Sequence, residues 1–323
     1  IEGEIYKIGN VSMNPEIVQD VIHSFWKRSK NKSIGEEALD LYLGKKNDIG
    51  PLYRLVQELK ENENNFSDTY SIVEDDIDEL IERASAPTEF RFPGRIPDHV
   101  PGINRGDFGI IFARPEIGKT TFGCWLAAEY IRNDHNVVYW ANEESARRVK
   151  IRVIESFFNM TFSELKNNLS TIRPVYKKQI EPYFTIVESV GTSIREIDDY
   201  VSRNKVDISF MDQLDKVRIE GEFTRGDERL KELYCRTREV AKHNDIAVWA
   251  ISQASFEAEG RHEITYSMLD NSRTGKAGEA DIILGIGLAE EEDFRTIKFS
   301  KNKLNGWHGS IIMSMDNERG VYI

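Results

Sequence analysis

Two different rhythms of apolar and polar residues divide the chain. Through residue 90 the apolar positions recur every three or four residues, in EIVQDVIHSFWKR after Asn14-Pro15, in EEALDLYL, in PLYRLVQELKEN and in SIVEDDIDELIERA. That spacing predicts amphipathic helices with one buried and one solvated face. Asn14 suits the cap of the first helix, and Pro15 suits its first turn, where an amide donor is not needed. The pattern stops at PTEFRFPGRIPDHVPGINRG, residues 87–106, which holds four prolines and three glycines and marks a boundary. Beyond it, short β-rich runs alternate with helical ones: FGIIF, NVVYWA, YFTIVES, VDISFM, IAVWAIS, and then DIILGIG, TIKFSK and SIIMSM. Apolar strands separated by helices predict a mostly parallel sheet covered on both faces. The closing runs have no helices between them and predict antiparallel strands added at one edge. The expected organisation is a helical region and linker over 1–90, followed by an α/β domain over 91–323.

Composition narrows the function classes. The 323 residues carry 43 basic and 55 acidic side chains, a net charge of -12. A protein that coats nucleic acid with its whole surface is normally basic, so any such contact is expected in a local patch. No apolar run approaches the roughly 20 residues that cross a bilayer, and the first ten residues have neither a basic start nor an apolar middle, so neither membrane insertion nor secretion is expected. Cys124 and Cys235 fall in helical stretches at no metal-binding spacing and are expected to be buried free thiols, without zinc. The chain opens on Ile rather than Met, which leaves open an upstream segment.

Candidate chemistry begins after FGIIF. The turn Ala113, Arg114, Pro115, Glu116, Ile117, Gly118, Lys119, Thr120, Thr121 leads into a helix with Leu126, Ala127 and Tyr130 on its inner side. Strand, glycine-lysine-threonine turn and helix make the layout of a phosphate-binding P-loop: backbone amides cradle phosphates, Lys119 reaches their outer oxygens and the Thr120 hydroxyl ligates Mg²⁺. The usual first glycine is replaced by Ala113. A second requirement, a carboxylate to organise Mg²⁺ and water, is met by Asp212 at the end of VDISFM. Glu143, after the strand NVVYWA, is a candidate general base, although a glutamate at a helix start also has a purely electrostatic explanation. Gln253 ends the strand IAVWAIS with a side chain that both donates and accepts hydrogen bonds.

In this order, ARPEIGKTTF, a strand-end glutamate, a hydrophobic-Asp-Gln-Leu run, AVWAISQAS and DNSRTGKAGEADIILGIG, the motifs resemble those of the DnaB-family replicative helicases, particularly phage-encoded ones. The resemblance runs from about Gly102 to the C-terminus and leaves the helical N-terminal region uncovered. It implies a RecA-like P-loop ATPase core with ATP, or dTTP, and Mg²⁺ at Lys119, Thr120 and Asp212. It further implies Glu143 as catalytic base and Gln253 as sensor of the γ-phosphate. Arg273 is the nearest match to a family arginine, one residue closer to Asp281 than the pattern has it. Lys301 and Lys303, in KFSKNKLNG, stand where the family presents a basic pair to a neighbouring subunit's nucleotide, with lysine in place of the expected arginine.

The same resemblance implies a homo-oligomeric ring, a hexamer, on single-stranded DNA in the cytoplasm, that of a bacterial host if the chain is phage-encoded, with a primase, polymerase or loader as further partners. Loops holding Lys216, Arg218 and Arg225, and then Arg261 and His262, would line its central hole. A few basic residues per subunit become a continuous track when six copies face one axis. The second loop also holds Glu257, Glu259 and Glu263, so a mixed-charge surface loop stays open there. Two alternatives stand beside the helicase: a RecA- or KaiC-like ATP-regulated DNA-binding assembly protein without unwinding activity, and a packaging or partition ATPase.

Overall fold

The computed structural model of the protein describes residues 31–46, 48–56, 76–221, 223–270 and 273–323. The chain divides into two compact units, Ile1–Ala86 and Pro87–Ile323. In the first, residues 31–42 and 50–56 are helical, and so is Ile77–Ser85. The helix expected after Asn14-Pro15, the end of PLYRLVQELKEN and residues 71–75 lie outside the described residues.

The proline- and glycine-rich stretch folds with the second unit. Its strands β1 (Phe90–Arg91) and β2 (Gly102–Ile103) pair antiparallel, and Phe90, Phe92, Ile96, Val100 and Ile103 are buried in the main core. The prolines thus interrupt regular structure without freeing the segment from the domain, because its apolar side chains have a core to enter.

The sheet that follows has nine strands in the order β11-β10-β9-β8-β3-β7-β6-β4-β5. Strands β3 (Phe108–Ala113), β4 (Val137–Ala141), β5 (Phe184–Glu188), β6 (Ile208–Asp212), β7 (Ala247–Gln253) and β8 (Ile282–Leu288) are parallel. As expected from the helix-free closing runs, β9 (Phe294–Asn302), β10 (Ser310–Asp316) and β11 (Val321–Tyr322) add antiparallel at one edge.

Alternation along the strands sends side chains into two cores. Ile111, Tyr139, Phe210, Trp249 and Ile251 face one way, against Phe122, Leu126 and Tyr130 of α1 (Lys119–Arg132). Phe108, Ile110, Val138, Trp140 and Val248 face the other, against Ile194 and Ile197 of a helix over Ile194–Arg203 and Leu230, Leu233 and Tyr234 of one over Gly226–His243. Helix α1 buries more than the expected inner stripe. Phe122, Cys124, Trp125 and Ala128 are also inside, as befits a helix that is apolar nearly all round. Burial pushes the Cys124 thiol up to about 12. Cys235, expected to be buried as well, is only half-buried: its neighbours Leu233 and Tyr234 take the inward positions of their helix.

Two glycines on β8 let a loop lie flat on the sheet. A Cβ on Gly285 would stand 2.4 Å from the Ile264 carbonyl oxygen, and one on Gly287 would stand 2.0 Å from that of His262. Leu288 N–H donates to the Arg261 carbonyl at 3.0 Å, fixing the same approach. Gly287→Ala forces backbone against backbone. It is expected to destabilise the domain by about 1–3 kcal/mol, read as a lower urea midpoint with unchanged m-value.

Candidate functional site

The parallel register brings four strand ends to one edge. Ala113 stands opposite Gln253, Ala141 opposite Asp212, and Asp212 opposite Ile251. Residues that follow these positions therefore share the carboxyl edge of the sheet, where open α/β sheets bind ligands.

The phosphate loop leaves β3 at Ala113. This residue is the last of the strand, paired on both sides by β7 and β8. It is not among the residues with positive φ, so a glycine is not required there and alanine fits. The left-handed positions are Glu116, at φ 66°, and Gly118, at φ 113°. At Gly118 the glycine is needed twice over, since a Cβ would also stand 2.5 Å from Met315 Sδ and 2.6 Å from the Tyr322 hydroxyl. That hydroxyl donates to the Gly118 carbonyl at 3.1 Å, and Arg295 Nε donates to the Ile117 carbonyl at 2.8 Å. The loop is thus braced from outside by β9 and β11. These braces escaped sequence reasoning; the one signal was a charged residue, Arg295, near the start of a strand.

Inside the loop, Lys119 and Thr120 are buried at the start of α1. Lys119 Nζ reaches Glu143 Oε2 at 2.6 Å. The two residues predicted to bind phosphate and to act on water are therefore in contact. The adjacent Glu144 is engaged elsewhere, with Arg152 at 3.0 Å. Asp212 is buried, and its Oδ2 accepts from the Tyr139 hydroxyl at 3.1 Å. Burial pushes its carboxyl from the ordinary 3.8 up to about 6, against the pull of the Lys119 ammonium and the Tyr139 hydrogen bond.

Asp212 Oδ1, Asn142 Nδ2 and Gln213 Nε2 are among the buried polar atoms at this edge that find no hydrogen-bond partner among the described residues. Orphaned buried groups are costly unless a ligand or water satisfies them. A hard cation fits the Asp212 oxygen, with the Thr120 hydroxyl as a second oxygen ligand, and phosphate or water oxygens fit the two amide N–H donors. Among the described residues no three His, Cys, Asp or Glu side chains converge on a metal position. Such a cation would then draw its other ligands from phosphates and water, as Mg²⁺ does.

Behind this edge lies a buried polar network that the sequence did not disclose. Lys276 Nζ, on the helix α2 (Arg273–Glu279), is fully buried and reaches Asp215 Oδ2 at 2.8 Å and Ser252 Oγ at 3.2 Å. Asp215 also accepts from Ser252 Oγ at 2.8 Å and from the Tyr234 hydroxyl at 2.9 Å. One carboxylate thus ties the segment three residues past Asp212 to the residue before Gln253.

The remaining predicted residues fall in three places. Gln253 is half-buried at the shared edge, and its carbonyl accepts from the Asp270 amide at 3.1 Å. Arg114 starts in the phosphate loop, but its guanidinium turns to the loop after β7. Lys216, Arg218, Arg225, Arg261 and His262 are exposed on the loops after β6 and β7, with Arg225 paired to Asp227 at 2.7 Å. Lys301 and Lys303 do not join the site. Lys301 stands opposite Ile283, near the amino end of β8 and so at the far end of the parallel strands. Lys301 Nζ donates to the Ala277 and Gly278 carbonyls, and burial with the nearby Lys303 pulls its ammonium down to about 8. Lys303 Nζ lies 3.7 Å from Asp281. Arg273 opens α2, and its side chain lies outside the described residues.

Comparison with known proteins bears on this arrangement. The family model described as DnaB-like helicase C terminal domain matches residues 94–304. A probable plasmid replicative DNA helicase of Chlamydia trachomatis serovar L2 is 23% identical over 305 residues, covering 87% of this chain and 60% of that protein. Its counterpart in Chlamydia psittaci is 24% identical over 201 residues, covering 58% and 44%. The chain thus spans about half the length of the curated relatives it matches. Among solved structures, a DnaB-like replicative helicase studied with primase superposes with a TM-score of 0.72 at 19% identity, over 97% of this chain and 80% of that one. That likeness establishes a shared fold.

The raised Asp212 carboxyl makes a prediction about stability. An acid whose pKa is higher folded than unfolded keeps its proton longer in the folded state. Stability is therefore lost as pH rises from about 4 to about 6, and the loss persists above. Asp212→Asn removes that cost and is expected to raise the Tm of the ligand-free protein at pH 7.5 by a few degrees, for a gain on the order of 1–2 kcal/mol. The gain should shrink at pH 5. Thermal melts at both pH values check this, and a lower Tm at pH 7.5 contradicts it.

Proposed function

The chain belongs to the DnaB-like helicase C-terminal domain family, and from that premise we propose that it is an ATP-driven replicative DNA helicase that translocates on single-stranded DNA as a ring. The carrying observation is the 2.6 Å contact between Lys119 and Glu143 beside the buried, unpartnered Asp212 oxygen. Without substrate, the cation meant for phosphate is neutralised by the carboxylate meant for water. Binding of a nucleoside triphosphate draws Lys119 Nζ to the β and γ oxygens and frees Glu143 to orient the attacking water and take its proton. Asp212 and the Thr120 hydroxyl are the side chains placed to hold Mg²⁺, which when bound neutralises charge on the transferred phosphoryl group. Gly118 and the following amides at the start of α1 cradle the phosphates. Gln253, at the end of a neighbouring strand, is placed to register whether the γ-phosphate is present.

Lys301 and Lys303 lie at the far end of the strands from their own phosphate loop, so they could meet only the nucleotide of another copy. This supports hydrolysis at subunit interfaces of a hexamer, where the pair supplies transition-state charge without the bidentate fork of arginine. Lys216, Arg218, Arg225, Arg261 and His262 are exposed on loops beside the nucleotide edge and suit phosphates of a single strand passing the ring's centre. ATP is the expected nucleotide, with dTTP a substitute. A primase, polymerase or loader would act with the ring in the cytoplasm. Residues 1–90 serve in this reading as a helical attachment and 91–323 as the motor.

A strand-displacement assay on a forked duplex tests the proposal. The intact protein is expected to unwind it in an ATP-dependent manner, and Lys119→Ala is expected to reduce the rate by at least about a hundredfold. Hydrolysis without unwinding under any assembly condition overturns it and favours an ATP-regulated DNA-binding assembly protein.

A further inference from the structure

Arg114 belongs by sequence to the phosphate loop and by contact to the loop that follows β7. Its Nε donates to Glu259 Oε2 at 2.7 Å, its Nη1 donates to the Ala254 carbonyl at 3.1 Å, and its Cζ stands 6.0 Å from the centre of the Phe256 ring. Beneath these contacts the Ala254 amide donates to the Ala113 carbonyl at 2.9 Å. Backbone and side chain of two successive residues at the start of the phosphate loop therefore hold the residue just after Gln253, and the guanidinium fork extends that hold five residues further.

The segment so held runs between two anchors. At its far end the carbonyls of Arg261 and His262 lie against Gly287 on β8. Between the anchors, Phe256–Ala258 forms one short helical turn, with Ala258 buried and the Phe256 ring 79% exposed. A large ring left in solvent at the nucleotide edge, with a guanidinium on its flank, is a surface on which a nucleobase could stack. Arg114, whose guanidinium stands by this ring, lies in the turn of the phosphate loop, where the Ile117 amide donates to its carbonyl at 3.4 Å.

We infer that Arg114 and Glu259 form a tie by which filling of the phosphate loop sets the position of residues 254–260, and of Phe256 with them, along a path separate from Gln253. Arg114 is here a positioning residue. A planar guanidinium holding a carboxylate, a carbonyl and a ring at once transmits direction as well as attraction, which a lysine would not. The inference deepens the helicase reading and rests on it for the statement that this loop meets single-stranded DNA.

The test uses the full chain and Glu259→Gln, which keeps the side chain's shape and removes its charge. Hydrogen exchange of amides 256–260 is followed with and without a non-hydrolysable ATP analogue. In the wild type the analogue is expected to slow exchange over this segment. In Glu259→Gln the segment is expected to exchange about two- to fivefold faster without nucleotide, the factor an exposed ion pair of about 0.5–1 kcal/mol converts to, and to lose its response to the analogue. In parallel, basal hydrolysis is expected to be unchanged while its stimulation by single-stranded DNA falls about two- to fivefold; Glu259→Asp should restore part of it. Unaltered exchange and an intact nucleotide response in Glu259→Gln overturn the tie. If the wild type shows no stimulation by DNA, the helicase reading fails by itself, and the exchange arm still decides the tie.

Discussion

A parallel sheet buried on both faces delivers its strand ends to one edge. Each parallel strand must be re-entered from the same side, so the chain leaves β3, β4, β6 and β7 at a common rim. Everything chemical in the second unit follows from that constraint. Lys119, Glu143, Asp212 and Gln253 are separated by 24 to 134 residues along the chain, yet the register Ala113–Gln253 and Ala141–Asp212 leaves them no choice but to converge. The same constraint puts the loops after β6 and β7 side by side with the nucleotide edge.

What the rim gathers is an unequal set of charges. One ammonium, Lys119, faces Glu143 and lies within electrostatic reach of Asp212, whose carboxyl also feels Glu143 and Glu144. The Arg152 guanidinium takes up Glu144, which leaves Lys119 as the cation shared by the other two. Burial then drives Asp212 toward its protonated form, while Oδ1 stays without a partner. A site that spends stability on unsatisfied groups is arranged for something that will satisfy them.

The sequence disclosed the parts of this arrangement that are local. Continuous apolar runs such as FGIIF and IAVWAIS foretold strands buried on both faces, and Gly118-Lys119-Thr120 foretold the turn. The missing first glycine had a local reason too, since Ala113 is still strand. What stayed hidden depends on contacts between distant segments. Arg295 and Tyr322 brace the phosphate loop from 178 and 204 residues away. Lys276, which no local pattern singles out, is fully buried against Asp215. The direction of Arg114 was equally invisible, because a motif assigns a residue to a loop and not to the partner its side chain finds. Cys235 erred for a related reason: a helical stretch announces itself, but which flank of it faces solvent depends on the neighbours it packs against.

The buried Lys276–Asp215 pair bears on how the two loops relate to the sheet. Burial pulls the Lys276 ammonium down and the Asp215 carboxylate opposes that pull. The pair is therefore a poor source of net stability compared with apolar packing, and its value lies in geometry. It joins the loop after Asp212, the residue before Gln253 and α2, with Tyr234 and Ser252 completing the carboxylate's hydrogen bonds. The bases of both loops are fixed in this way. The contacts that differ between the loops are then peripheral ones: Arg218 backbone against Thr192 and Ile194 for the first, Arg114 against Ala254 and Glu259 for the second. Of these partners only Arg114 is itself part of the phosphate loop, so the second loop is the one joined to the phosphate loop by a side chain.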